Sequence, residues 1–207
     1  NFKLLFLLIE MRFSTREKKD LFVAGLIISL AFAILLSGGY KFLLSLNTRF
    51  LILFLAAFIT AGLGFLLHEL MHKYVAQSYG LKAEFRAFYP ALWLALLFSL
   101  FGFIIAAPGA VIISGLINKE RNGKISVAGP ITNIVLALIF LILSLIPSSE
   151  LIHSIASYGL SINALLAAFN MIPVMPFDGA KVFAWNKTVY AATIIIAIAL
   201  YLTSWFL

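Results

Sequence analysis

The residues best equipped for chemistry in this chain lie in the stretch GFLLHELMHKYVAQ, residues 64 to 77. They are His68, Glu69 and His72, in the pattern His-Glu-x-x-His. On a helix, residues four apart lie on one face, one turn above the other, so both imidazoles can reach one metal ion. Glu69 is turned by about 100° from His68, which suits a general base acting on water at the metal better than a third ligand. The pattern alone is short enough to arise by chance. Its setting argues otherwise, because a glutamate and two histidines in an apolar helix are costly unless they are paired or coordinated.

A catalytic zinc site keeps three protein ligands and one open position. The chain has no cysteine, so no thiolate and no disulfide framework is available, and the third ligand must be a histidine or a carboxylate. After residue 20 the acids are Glu69, Glu84, Glu120, Glu150 and Asp178, and the only further histidine is His153. Glu150 and His153 fall in the connection PSSELIHS and read as solvated loop residues. Glu84 reads as a loop residue and Glu120 as part of the charged gap NKERNGK. Asp178 has no such surface explanation. It follows Pro173 and Pro176, which break the end of an apolar span, and it stands alone among apolar residues. Its structural alternative is an Asp-Gly turn at a helix end.

The elements that must position these groups are read from composition and run length. Of 207 residues, 63% are hydrophobic and only 11% charged, with mean hydropathy +1.10, far beyond what a soluble fold can cover with polar surface. The chain is therefore expected to be an all-α polytopic membrane protein, a single integral membrane domain over residues 1 to 207. Its net charge of +7 is spread over the hydrophilic gaps, which marks membrane topology and the lipid bilayer as partner; a nucleic-acid footprint would be a clustered basic face. About five transmembrane helices are predicted, over residues 21–37, 50–67, 125–146, 151–173 and 188–207. Residues 1–9, NFKLLFLLI, are too short to span and read as a strand, an interfacial segment or a remnant of expression. Between the second and third spans, residues 83–117 are broken by Pro90, Gly102, Pro108, Gly109 and Gly115, and FGFIIAAPGAVIIS is β-branched and aromatic. This composition predicts a short β or re-entrant region rather than a helix, lining a polar cavity where its backbone can be satisfied.

The order of these motifs carries a resemblance. HELMH at 68–72, followed in a later span by NMIPVMPFDG at 170–179, resembles the site-2 protease family of intramembrane zinc metalloproteases, and AGPITN at 128–133 is similar to that family's Gly-x-x-x-Asn element. The resemblance covers residues 50–180, the expected catalytic core. It implies one zinc ion per chain held by His68, His72 and Asp178, Glu69 as the base, and transmembrane segments of membrane proteins as substrates. It also implies that Asn133 and Asn170 are polar supports near substrate or oxyanion; each could instead be a helix–helix hydrogen bond. The chain departs from many relatives in having Ala180 and Lys181 where they have Gly-Arg, so no role is carried over to those positions. A compact form is expected, with neither a PDZ insertion nor a CBS domain. The readings that remain beside it are another membrane His-Glu-x-x-His protease with Glu84 or Glu120 as third ligand, a non-catalytic zinc-binding membrane protein, and a metal-ion transporter.

Charge in the gaps tests the pairing of the two motifs. Arg12, Arg16, Lys18 and Lys19 precede the first span, Lys73, Lys82 and Arg86 follow the second, Lys119, Arg121 and Lys124 precede the third, and residues 147–158 contain no Lys or Arg. The positive-inside rule then puts the N-terminus and the active-site end in the cytoplasm and PSSELIHS outside. Residues 87–116 must leave and return on one side, which brings His68, His72 and Asp178 to one level. With Lys73 marking the interface, His68 would lie only ~7 Å deeper at 1.5 Å per residue.

Overall fold

A computed structural model describes residues 11–44, 48–104, 108–147 and 149–207. Residues 1–10, which include the N-terminal segment 1–9, lie outside the described residues, as do 45–47, 105–107 and 148. The first helix, α1 (Thr15–Leu36), is opened by Ser14, whose hydroxyl accepts from the Glu17 N–H at 3.1 Å. A 3-10 turn (Gly39–Leu44) leads to α2 (Thr48–Ala57), which runs through a π-helical turn (Phe58–Gly62) into α3 (Leu63–Ser78). Next come β1 (Lys82–Ala87), α4 (Tyr89–Leu100) and β2 (Gly109–Ser114). The chain continues through α5 (Lys119–Leu145), α6 (Glu150–Asn170), α7 (Asp178–Trp185) and α8 (Lys187–Thr203).

Among the described residues, four helical stretches are long and apolar enough to cross a membrane: Thr15–Leu36, Phe50–Ser78, Lys119–Leu145 and Glu150–Asn170. These overlap the first four predicted spans; the first and third begin six residues earlier, at the caps Ser14 and Asn118, the second runs on to Ser78, and the fourth ends at Asn170, three residues before the predicted end. The fifth, α8, is a 17-residue apolar helix, about 26 Å long at 1.5 Å per residue. The outward face of α5 shows why such helices need lipid: Ile131, Val135, Leu138 and Ile142 recur at one-turn spacing and are all exposed. The inward faces are small or polar. One core joins Ala137 and Phe140 of α5 to Leu160, Ala164 and Ala167 of α6 and Ala197 and Leu200 of α8. A second joins Ala24 and Ile28 of α1 to Phe65 of α3, Phe85 of β1, Leu92 of α4 and Ile162 of α6. Close approach of small residues is how helices associate where lipid removes the hydrophobic incentive.

The region between the second and third spans is both strand and helix. β1 and β2 pair antiparallel with Phe85 opposite Val111, and α4 is a helical excursion between them. The prolines and glycines counted against a helix sit at its ends: Pro90 is in the first turn, where its missing N–H costs nothing, and Gly102 follows the last turn with φ +88°. Glu84, read from the sequence as a loop residue, lies within β1.

The two edges of this sheet differ. The Phe88 N–H bonds Pro108 O at 2.9 Å, which continues the ladder and, with alternating pairing, turns the N–H groups of Phe85 and Ala87 away from β2. Both are capped by α1: Glu17 Oε1 accepts from the Phe85 N–H at 2.8 Å and Asp20 Oδ2 from the Ala87 N–H at 3.3 Å. Gln77 donates to Ala83 O on the same edge. By the same alternation the N–H groups of Val111 and Ile113 face away from β1, on the opposite edge.

Two sequence expectations about charge are corrected here. Lys73 is not a solvated end of its helix; it is 1% exposed, bonds both Glu17 carboxylate oxygens at 2.6 and 2.5 Å, and lies 4.3 Å from the Phe13 ring. A charged residue in sequence need not be solvated when a buried acid of another helix meets it. Glu150 and His153 are helical rather than in a loop, with Ser149 capping α6 and His153 Nε2 lying 3.1 Å from Leu207 O.

Candidate metal centre

The four-residue spacing in α3 sets the two imidazoles edge to face, with ring centroids 4.6 Å apart. Each ring is held through Nδ1. His68 Nδ1 lies 2.6 Å from Asn133 Oδ1, and His72 Nδ1 lies 2.8 Å from Ile125 O, both partners being supplied by α5. An oxygen at Nδ1 leaves Nε2 as the free ligand atom, the arrangement that orients metal-binding histidines.

Asp178 arrives from the far end of the chain. The bend after α6 brings the first residue of α7 under the rings, and Gly179 permits the approach, since a Cβ there would run into Met171 O. Asp178 Oδ2 stands 3.4 Å from His68 Nε2 and 3.0 Å from His72 Nε2. Asp178 therefore begins a helix with its carboxylate turned inward, not a turn at a helix end.

The three residues fit a metal ion. Their ligand atoms all lie within 4.8 Å of one another and all three residues are buried. Tetrahedral zinc with bonds of roughly 2.0–2.1 Å sets its ligand atoms about 3.3 Å apart, close to the two distances from Asp178. The donor set, two imidazoles and one carboxylate with no thiolate, is that of a hydrolytic zinc site with an open position.

Glu69 is also buried, and its carboxyl lies beside the backbone of Val111, on the outward edge of β2. Glu69 thus has the metal group on one side and the strand edge on the other. Glu84 and Glu120 are elsewhere: Glu84 pairs with Arg86 at 2.7 Å and with the Ser14 hydroxyl, and Glu120 with Lys124 at 2.5 Å on the α5 surface. Neither is in the metal-ligand group found among the described residues.

Asn133 is fully buried between helices. Besides His68 it contacts Gly64 O at 3.2 Å and Asn163 Oδ1 at 3.0 Å, so both its N–H groups are used within the protein. Asn170 donates to Leu166 O in its own helix.

Three contributors escaped the sequence reading. Gly129 lets α5 reach the rings, for a Cβ there would sit 2.5 Å from Nε2 of both histidines. Its signal was visible in the Gly-x-x-x-Asn spacing, which puts Gly129 and Asn133 on one face. Lys181 lies 3.4 Å from Asp178 Oδ1, an i,i+3 pair readable from helical spacing. Asn163 had no signal beyond being a polar residue inside a span.

Comparison with known proteins agrees with this chemistry. Over 183 residues, 87% of this chain and 90% of the relative, the sequence is 43% identical to "Putative zinc metalloprotease MJ0611" of Methanocaldococcus jannaschii. It is 30% identical over 132 residues, 63% of this chain, to zinc metalloprotease MJ0392 of the same organism, of which the match spans 33%. Neither a family model nor a solved structure matches. The chain belongs to the family of zinc metalloproteases represented by the first of these archaeal proteins.

Proposed function

We propose that this protein is an intramembrane zinc metalloprotease of the site-2 type, cleaving transmembrane segments of membrane proteins. The observation that carries this reading is Glu69, placed between a buried two-histidine, one-aspartate group and the outward edge of β2, within helices whose outer faces need lipid.

His68, His72 and Asp178 would hold the zinc. When bound, it supplies Lewis acidity that makes water a nucleophile near neutral pH and polarises the scissile carbonyl. Glu69 takes the proton from the attacking water and returns it to the leaving amine. A transmembrane helix satisfies its own backbone, so the substrate must open locally before its carbonyl is reachable, and Gly, Pro or Asn within the span lowers that cost. The opened segment pairs with the outward N–H and C=O groups of β2, which holds it extended beside Glu69. The β1 edge is closed to such pairing by Glu17, Asp20 and Gln77. Asn133 acts through His68, and Asn170 stands as a polar group at the end of α6 beside the bend to Asp178. The positive-inside rule orients the site toward the cytoplasm, and cysteines replacing Ser149 and Asn122 are expected to label from opposite sides.

The test is a reconstituted cleavage assay with metal analysis. Wild type is expected to hold about one zinc per chain; Asp178→Ala should lose it, while Glu69→Gln should keep zinc and lose cleavage. Replacing a substrate's helix-breaking residues by Leu should slow its cleavage with insertion intact. Full metallation of Asp178→Ala refutes the ligand set. Equal cleavage of stable and unstable helices, or preference for soluble unfolded peptides, refutes the intramembrane reading.

A further inference from the structure

Asn163 lies fully buried within α6, and its hydrogen bonds go to Thr60, Gly159 and Asn133. We infer that Asn163 is a positioning residue that locks the amide of Asn133, and through it the tautomer of His68, so that His68 presents a bare Nε2 to the metal. The inference rests on the metal site proposed above and adds the device that readies it.

The orientation is dictated by backbone carbonyls, which can only accept. One end of the Asn163 side chain lies 3.1 Å from Thr60 O, in the π-helical turn, and 2.9 Å from Gly159 O, one turn back in α6. That end must be the NH2, since an oxygen there would face two acceptors. The other end is then Oδ1, and it stands 3.0 Å from the Asn133 amide. The Asn133 atom that meets it is also 3.2 Å from Gly64 O, so it too must be nitrogen. Asn133 therefore turns its oxygen to His68 Nδ1, 2.6 Å away. An amide oxygen cannot donate, so Nδ1 carries the hydrogen and the Nε2 lone pair is left facing Asp178 and His72. His72 reaches the same state in one step, through Ile125 O.

The surroundings are built for this chain of bonds. Gly64 has no Cβ where one would collide with Asn163 Oδ1, and the π-helical turn, a feature often found at functional sites, sets Thr60 O against Asn163 Nδ2. With leucine at 163, only Gly64 O still selects the Asn133 orientation. The amide can then turn over and present NH2 to His68 Nδ1. That choice puts the hydrogen on Nε2, which cannot then ligate.

The tautomer is read from 15N-histidine spectra of the metal-free protein at about pH 8, above the usual imidazole range. Wild-type His68 is expected in the Nδ1–H form; finding it in the Nε2–H form overturns the inference without recourse to any variant. Asn163→Leu should give a mixture of tautomers, and its zinc affinity, measured by chelator competition, should fall about tenfold or more, within the range usual for loss of an outer-shell partner. Asn163→Thr should recover the Nδ1–H form and most of the affinity, because a threonine hydroxyl can donate to Gly159 O one turn back and accept from Asn133. A purely structural asparagine would change the melting temperature of either variant and leave the tautomer alone; that outcome, or wild-type zinc affinity in Asn163→Leu, overturns the inference. If the leucine variant does not fold, the wild-type spectrum and the threonine variant decide. Failure of the wild-type protein to bind zinc would refute the metal site, whereas the tautomer of the metal-free protein still tests the Asn163 relay.

Discussion

Alanine at Gly129 is the smallest change that reaches the centre of the metal site. A Cβ built there lies 2.5 Å from His68 Nε2, 2.5 Å from His72 Nε2 and 2.6 Å from His72 Cε1. Non-bonded heavy atoms settle at roughly 3.5 Å, so the methyl group needs about 1 Å more room from two rings at once. Neither ring can swing away freely, because Asn133 and Ile125 hold their Nδ1 atoms. Displacing α5 does not help, since α5 carries both of those partners as well as Gly129. Metal–ligand distances tolerate only ~0.2 Å. Gly129→Ala is therefore expected to lower zinc affinity by at least about 100-fold, roughly 2.7 kcal/mol. The metal-free fold should be affected far less, because alanine is favoured over glycine within a helix by about 1 kcal/mol, which offsets part of the crowding. Chelator competition measures the affinity, and a circular-dichroism melt of the metal-free protein measures the fold. Wild-type zinc affinity in a well-folded Gly129→Ala protein would show that the metal does not lie where the two Nε2 atoms converge.

Two further outcomes follow from the elements around the site. Lys73→Met leaves Glu17 buried without its cation and should destabilise the protein by about 3–5 kcal/mol, whereas Glu17→Gln combined with Lys73→Met should recover most of this loss; equal melting temperatures for the single variant and wild type would mean that the pair is solvated. Ile113→Pro removes one N–H from the outward edge of β2 without touching the β1 ladder, so it should weaken substrate cleavage while zinc content and fold are kept; undiminished cleavage would argue against substrate pairing on that edge.

The membrane class, the metal chemistry and the approximate helices were legible in the sequence because each depends on local pattern. Long apolar runs must be helical where water is absent, four-residue spacing stacks His68 on His72, and a lone Asp178 after two prolines is conspicuous against apolar neighbours. Helix ends were less legible, because caps such as Ser14 and Asn118 draw polar residues into helices that hydropathy alone ends earlier. The helix α4 was obscured because its proline and glycine lie at its termini, where a composition count cannot tell a cap from a break. Only the tertiary structure decided which polar groups meet. Lys73 and Glu17 are 56 residues apart, Asn133 and His68 are 65 apart, and Asn163 and Thr60 are 103 apart. No spacing rule links residues on different helices. Their pairing comes from the close packing of α3, α5 and α6, which removes water and leaves each buried donor and acceptor to be satisfied by whichever group the neighbouring helix presents.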